Sequence, residues 1–270
     1  MSVDKPTAVT LSRLRKMKQQ GEKFTCLTAY DASFTQLLDE AGVEVILVGD
    51  SLGMVIQGHS TTVPVNMEDM IYHSRAVARG RQRAMLMVDM PFMACTLVEQ
   101  ALVNATRLMQ EGGAEIIKLE GSGVQLEIVT ELARRGIPVC AHLGLQPQSV
   151  HKQSGYRVQG REAEAARAMV ASAVALEAAG ADMLLLECVP TALAADITRT
   201  VAVPVIGIGA GVECDAQVLV LYDILAITPG KRPRFSKDFM AGAGSVREAI
   251  GNYVAEVKSG AFPAKQHWFE

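Results

Sequence analysis

The chain has 270 residues, 49% of them apolar and 20% charged, with a formal net charge of −3. That composition excludes a disordered or collagen-like chain, and a chain of this length buries enough surface to need no disulfide staples. The slight acidity gives a nucleic acid or an anionic membrane no overall electrostatic support. Cys26, Cys95, Cys140, Cys188 and Cys214 stand far apart with no CxxC pair, the pattern of free thiols in a reducing compartment. No apolar run reaches the roughly 18 residues of a membrane span, and the N-terminus lacks the apolar core of a secretory signal.

The first element is the basic amphipathic tract from Leu11 to Gln20, with Leu11, Leu14 and Met17 on one face. It reads as a helix packed on the domain or as a membrane-surface or targeting helix, and packing is the simpler reading. A loose repeat follows. LLDEAGVEVILVGD ends at Asp50, LMQEGGAEIIKLE at Glu120 and ALEAAGADMLLLE at Glu187. In each, a helical pattern stops at Gly42, Gly113 or Gly180, where glycine suits the left-handed position past a helix end. A run apolar at nearly every position comes next, as in strands buried on both faces of a parallel sheet. Thr25–Thr28, Ala84–Val88, Pro138–Ala141, Pro204–Ile208 and Ile224–Ile227 bring the strand count to eight.

The tracts between carry helix signals. Asn66 caps a helix ending at Gly80. Thr96 with Glu99, and Ser122 with Gln125, have capping-box spacing before helices ending at Gly112 and Gly136. Residues 162–179 are alanine-rich and helical. Residues 228–244 are irregular, and Ser245 with Glu248 opens a last helix. Its stripe of Val246, Ile250, Tyr253, Val254 and Val257 packs within the chain or against a partner subunit. Eight alternating units predict a (β/α)8 TIM barrel with right-handed crossovers. A doubly wound sheet would need fewer strands and a Gly-rich first turn, which is missing. The expectation is one domain over residues 1–270: an N-terminal helix, a barrel core over about 24–228 and a C-terminal helical extension over 229–270.

In such a barrel the chemistry sits at the C-terminal strand ends. The assignment puts Tyr30 and Asp31 there after strand one, Asp50 and Ser51 after two, and Asp89 after three. Lys118 and Glu120 follow from four, His142 from five, Glu187 from six, and Gly207, Gly209 and Gly211 from seven. Asp50, Asp89, Glu120 and Glu187 therefore converge on one mouth with one lysine. Clustered carboxylates repel one another and lose hydration, and a cation is the simplest remedy. All-oxygen ligands favour Mg2+ first and Mn2+ next, whereas Zn2+ would want more His and Cys. Any one of these acids taken alone reads equally as a helix cap or a surface group.

Lys118 is a Schiff-base former, a fixed charge for a substrate carboxylate, or an ordinary ion-pair partner, and the acids around it favour charge pairing. His142 is structural or catalytic. GIGAG at 207–211 is a weak phosphate-loop signal, explained equally by close packing at the barrel rim. KRPRFSK at 231–237 attracts an anionic tail or is a solvated loop. Cys188 reads as a buried thiol, and Met85, Met87, Met90 and Met93 as core filling.

TAYDASF (28–34), VGDSLGMVIQGHSTTVPV (48–65), VDMPFM (88–93), IKLEG (117–121), AHLGLQPQS (141–149), LLECVP (185–190) and VIGIGAG (205–211) resemble the ketopantoate hydroxymethyltransferase family. The resemblance runs from about residue 8 to 265, with the motifs in the family's order. SGYRVQGR (154–161) departs from it, with Ser154 where glycine and Arg157 where lysine is expected.

The resemblance implies a cytoplasmic (β/α)8 enzyme of pantothenate synthesis, usually a homodecamer. It would transfer a hydroxymethyl group from 5,10-methylenetetrahydrofolate to 3-methyl-2-oxobutanoate, giving 2-dehydropantoate through a Mg2+-stabilised enolate. It also implies that Asp50, Asp89 and Glu120 hold Mg2+ and that Asp50, Ser51, Asp89 and Lys118 bind the 2-oxo acid. Glu187 takes the proton from carbon 3. The competing readings are a Mg2+-dependent carbon–carbon lyase acting on a 2-oxo acid, whose KKCGH-type loop is missing, a Lys118 Schiff-base aldolase, and a non-catalytic barrel.

Overall fold

Helix α1 (Leu11–Gln20) starts where the Thr10 hydroxyl accepts the Arg13 N–H and ends at Gly21, whose φ is 68°. Leu14 and Met17 are buried beneath it, so this tract packs on the domain. The computed structural model describes residues 7–152, 155–228 and 230–270, so the Ser154 departure lies outside the described residues. Next come β1 (Phe24–Thr28), α2 (Ala32–Glu40), β2 (Val45–Val48), the short α3 (Leu52–Val55), α4 (Met67–Gly80) and β3 (Met85–Asp89). Helix α5 (Val98–Gln110), β4 (Ile116–Glu120), α6 (Gln125–Arg134), β5 (Val139–Gly144), α7 (Ala163–Ala178) and β6 (Met183–Glu187) continue the alternation. Helix α8 (Thr191–Thr200), β7 (Val205–Ile208), β8 (Ala216–Leu219), α9 (Leu221–Ile224) and α10 (Val246–Ser259) complete it.

All eight strands are parallel and close in sequence order, with β1 pairing β8 through Phe24–Ala216 to Leu27–Leu219. Every residue of β1, β2, β3 and β5 is buried, which is what apolar runs without alternation predict. Gly42, Gly113 and Gly180 have φ of 92°, 78° and 104°, the left-handed turn that lets each repeat pass from helix to strand.

One strand is misplaced by the sequence reading. The eighth is Ala216–Leu219, and the predicted Ile224–Ile227 tract starts on the last residue of helix α9 and runs on as a turn. A short apolar run has no decisive period, and the expected helix between β7 and β8 does not exist. Gln217 sits inside β8 and its side chain donates to Gly211 O at 2.9 Å, which hides a polar residue in the barrel wall.

Two of the four predicted caps form and two do not. Asn66 accepts from the N–H groups of Glu68 and Asp69, and Ser245 accepts from that of Glu248. Helix α5 starts from Leu97 with no side-chain cap, and Thr96 donates to Gln100 instead. Helix α6 starts from Val124, and Ser122 supplies no side-chain cap. The spacing alone allowed the box, but the chain enters each helix later. Helix α10 buries Ile250, Tyr253, Val254 and Val257 within the chain. The Tyr253 hydroxyl lies 2.9 Å from Cys26 O and 2.8 Å from Gln217 O, tying the extension to β1 and β8.

Four acids tie the strand starts together, each one residue before an even strand. Glu44, Glu115, Asp182 and Asp215 accept the N–H of Thr25, Leu86, Val139 and Val205 at the start of the preceding odd strand, at 2.8 to 3.2 Å. Each also meets a cation, Lys258, Arg81, Arg15 and Lys18 in turn. A carboxylate that accepts backbone N–H bonds and faces a cation is well compensated for leaving water.

Candidate active site

The other end of the barrel gathers acids, a lysine and a histidine from the strand ends. Side chains two apart in a strand share a face, so Lys118 and Glu120 of β4 both point into the mouth. Register sets Asp89 beside Lys118, Glu120 beside His142, and Gly144 beside Glu187. Asp50 lies just past β2, and its N–H donates to Asp89 Oδ2 at 3.0 Å. Lys118 Nζ stands 2.9 Å from Asp89 Oδ1 and 3.4 Å from His142 Nδ1. His142 Nε2 is 3.4 Å from Glu187 Oε2, and its Nδ1 is 3.8 Å from Glu120 Oε1. Ser51 Oγ is 2.8 Å from the Tyr30 hydroxyl. Asp50, Ser51, Asp89, Lys118, Glu120, His142 and Glu187 thus come together as one constellation.

The electrostatics are those of crowded, desolvated acids. Burial and then the Asp89 charge push Asp50 up to about 7, against the pull of Lys118 and Gln148. Burial and the Asp50 and Asp89 charges push Glu187 up to about 8, again opposed by Lys118. Glu120 is raised well above the carboxylate range by burial and then by Asp50, Asp89 and Glu187. Burial pulls the Lys118 ammonium down, but Asp89, Glu120 and Asp50 together outweigh it and hold it charged. A lysine held as its ammonium is a poor nucleophile, so the site favours charge pairing over a Schiff base. Burial and the nearby Lys118 keep His142 neutral.

The remaining candidates lie elsewhere. Asp31 caps α2 by accepting the Phe34 N–H at 2.9 Å. A Cβ on Gly207 would meet Cys214 Sγ at 2.8 Å, and one on Gly211 would meet Thr191 Cγ2 at 2.4 Å, so GIGAG is close packing at the rim. Cys188 is a buried thiol raised by burial and then by Glu187. In the 231–237 tract, Lys237 pairs with Glu256 at 2.6 Å and Arg234 donates to Gln266 O, which ties it to the chain's own end. Among the described residues no helix is long and apolar enough to cross a membrane.

Glu120 Oε1 and His142 Nε2 are buried with no hydrogen-bond partner. Buried polar atoms normally find partners, so an orphaned carboxylate oxygen among raised acids asks for a cation or a donor. Among the described residues no three His, Cys, Asp or Glu side chains are already placed to hold a metal ion together. The donors gathered here are carboxylate oxygens, which suit a hard ion that keeps several waters, such as Mg2+.

The ketopantoate hydroxymethyltransferase family model matches residues 8–265. The 3-methyl-2-oxobutanoate hydroxymethyltransferase of Alkalilimnicola ehrlichii is 62% identical over 97% of this chain and 94% of its own length. The chain belongs to the ketopantoate hydroxymethyltransferase family. The enzyme of that name from Halorhodospira halophila is 56% identical over 97% of this chain and 95% of its own. A phosphonopyruvate hydrolase solved with oxalate and Mg2+ superposes with a TM-score of 0.62 at 15% identity, covering 91% of this chain and 95% of its own. That likeness shows the barrel fold alone.

Ketopantoate hydroxymethyltransferases are enzymes, and this member folds as the eight-stranded barrel its sequence predicts. Sequence reasoning missed Gln148. Its N–H donates to Glu120 Oε2 at 3.1 Å, and its side-chain NH2 donates to Asp50 Oδ2 and Met90 O, both at 2.9 Å. An uncharged amide in a loop carries no chemical signal of its own, although the AHLGLQPQS motif contained it. Tyr156 was also missed. It is half exposed at 53%, donates to Met54 Sδ at 3.6 Å and is raised by burial and then by the Glu187, Asp50 and Glu120 charges.

Proposed function

We propose that this mouth transfers a hydroxymethyl group from 5,10-methylenetetrahydrofolate to 3-methyl-2-oxobutanoate, giving 2-dehydropantoate. The observation that carries the reading is the Lys118–Asp89 pair flanked by Asp50, Glu120 and Glu187, four acids and one ammonium in a single buried cluster. Asp50, Asp89 and Glu120 would hold Mg2+. When bound, Mg2+ would supply a Lewis acid that offsets charge developing on the keto oxygen.

The chain's own groups do the rest. Lys118 stays an ammonium and sits opposite the substrate carboxylate, whose charge would otherwise oppose enolate formation. Ser51, with Tyr30 behind it, binds the 2-oxo acid alongside Lys118. Glu187 takes the carbon 3 proton, and its raised proton affinity narrows the gap to so weak a carbon acid. The resulting enolate carbon bonds to the donor's methylene carbon, tetrahydrofolate leaves, and water supplies the hydroxyl oxygen. The neutral His142 beside Glu187 leaves that proton on the carboxyl. We also infer a single catalytic domain, a cytoplasmic setting and a homo-oligomer, a homodecamer by family likeness.

The test is the complete assay with purified protein, both substrates and Mg2+. The expected result is 2-dehydropantoate and tetrahydrofolate in equal amounts, lost on adding EDTA and restored by excess Mg2+. Cleavage of a longer oxo acid without a folate requirement would favour the lyase instead. Activity that survives EDTA, with borohydride trapping substrate on Lys118, would favour the Schiff-base aldolase.

A further inference from the structure

We propose that Gln148 is the positioning residue that fixes which carboxylate oxygens face the cation, an inference that rests on the metal reading above. Its three donors reach three strand ends at once. The backbone N–H takes Glu120 Oε2 at 3.1 Å, and the side-chain NH2 takes Asp50 Oδ2 and Met90 O at 2.9 Å each. One residue from the loop after β5 therefore links the ends of β2, β3 and β4.

Counting oxygens gives the consequence. Asp89 Oδ2 accepts the Asp50 N–H, and Asp89 Oδ1 faces the Lys118 ammonium at 2.9 Å. Glu120 Oε2 and Asp50 Oδ2 are taken by Gln148. Glu120 Oε1 is left buried with no hydrogen-bond partner, and Asp50 Oδ1 lies outside the Gln148 bond. Gln148 thus occupies one oxygen on each of these two acids and keeps either carboxylate from rotating to offer both. A site that gives single oxygens leaves coordination positions for the chelating substrate and for water, as Mg2+ requires. Groups that orient ligands in this way commonly contribute 10–100-fold in metal affinity.

Gln148 has no role at the reacting atoms, so its signature is in metal binding. Mn2+ serves as the probe, titrated by electron paramagnetic resonance into the intact protein without substrate. Proton relaxation of metal-bound water counts the waters the ion keeps. Gln148→Met keeps the length and loses both side-chain donors, and Gln148→Asn keeps the amide but not the reach. Both are expected to bind Mn2+ about 10–100-fold more weakly and to change the count of bound waters, with an unfolding midpoint in EDTA close to that of the unaltered enzyme. If both bind Mn2+ as the unaltered enzyme does, with the same water count, the proposal is overturned while the metal reading stands. If the unaltered enzyme binds no Mn2+, the metal reading falls and the proposal falls with it. A lowered midpoint in EDTA with unchanged Mn2+ affinity assigns Gln148 to structure alone and also overturns it.

Discussion

The two ends of the barrel use the same residue type for opposite purposes. Each of the three sequence repeats brackets its strand with a pair of acids, Glu44 and Asp50, Glu115 and Glu120, Asp182 and Glu187. The first stands before its strand, accepts a backbone N–H and meets a Lys or Arg. The second stands at or just past the strand's end, crowded with other acids, and its proton affinity is raised. A carboxylate that is supplied with donors holds a fold together. One buried among other acids stores electrostatic strain, which a cation can release. Activity and stability should therefore separate between the two sets.

The largest separation is expected at Glu187. Glu187→Gln should lower kcat about 10^2–10^4-fold, the usual contribution of a general base. It should leave the unfolding midpoint of the metal-free protein unchanged or higher, because a crowded charge is gone. A parallel loss of stability and activity would break the comparison.

Glu44→Ala should do the reverse. It strips the acceptor from the Thr25 N–H and hydroxyl and the partner from Lys258. A cost of about 1–3 kcal/mol in urea unfolding is expected from the buried donors left behind, with kcat nearly unchanged.

The pH dependence comes next. The unfolded chain releases its Asp and Glu protons near pH 4, whereas folded Asp50 keeps its proton to about 7 and Glu187 to about 8. Between those limits the folded state binds more protons, so stability of the metal-free protein falls as pH rises and levels off beyond about pH 8. His142, held neutral, works the other way. Its contribution is complete above the ordinary histidine range near 6.5 and is lost as pH falls. The net fall should be steepest from about pH 6.5 to 8, read from melting midpoints in EDTA. Glu187→Gln should flatten it, and a midpoint that rises across that window would contradict the account.

The smallest effect is expected at Asp182→Asn. The amide oxygen can still accept the Val139 N–H, and only the pairing with the half-exposed Arg15 is lost. The change should stay within about 1 kcal/mol, measured by the same urea unfolding.

Much of this was legible in the sequence. The glycine stops and unbroken apolar runs revealed seven strands, and the acids at their ends revealed the mouth. The eighth strand was not legible, because β7 and β8 are joined without a helix and Gln217 interrupts the apolar pattern. The family motifs named the mouth residues, but Gln148 was silent because its role lies in where its donors point. Glu44, Glu115 and Asp182 were in plain view within the repeats. Their partners are backbone N–H groups of other strands, which only the closed barrel brings near.

The most direct test of the mouth acids as catalytic machinery is hydrogen exchange at carbon 3 of 3-methyl-2-oxobutanoate, followed by NMR in D2O without folate. The account predicts exchange with Mg2+ that stops in EDTA and in Glu187→Gln, and continues in Asp182→Asn. Exchange at the full rate in Glu187→Gln, or in EDTA, would contradict it.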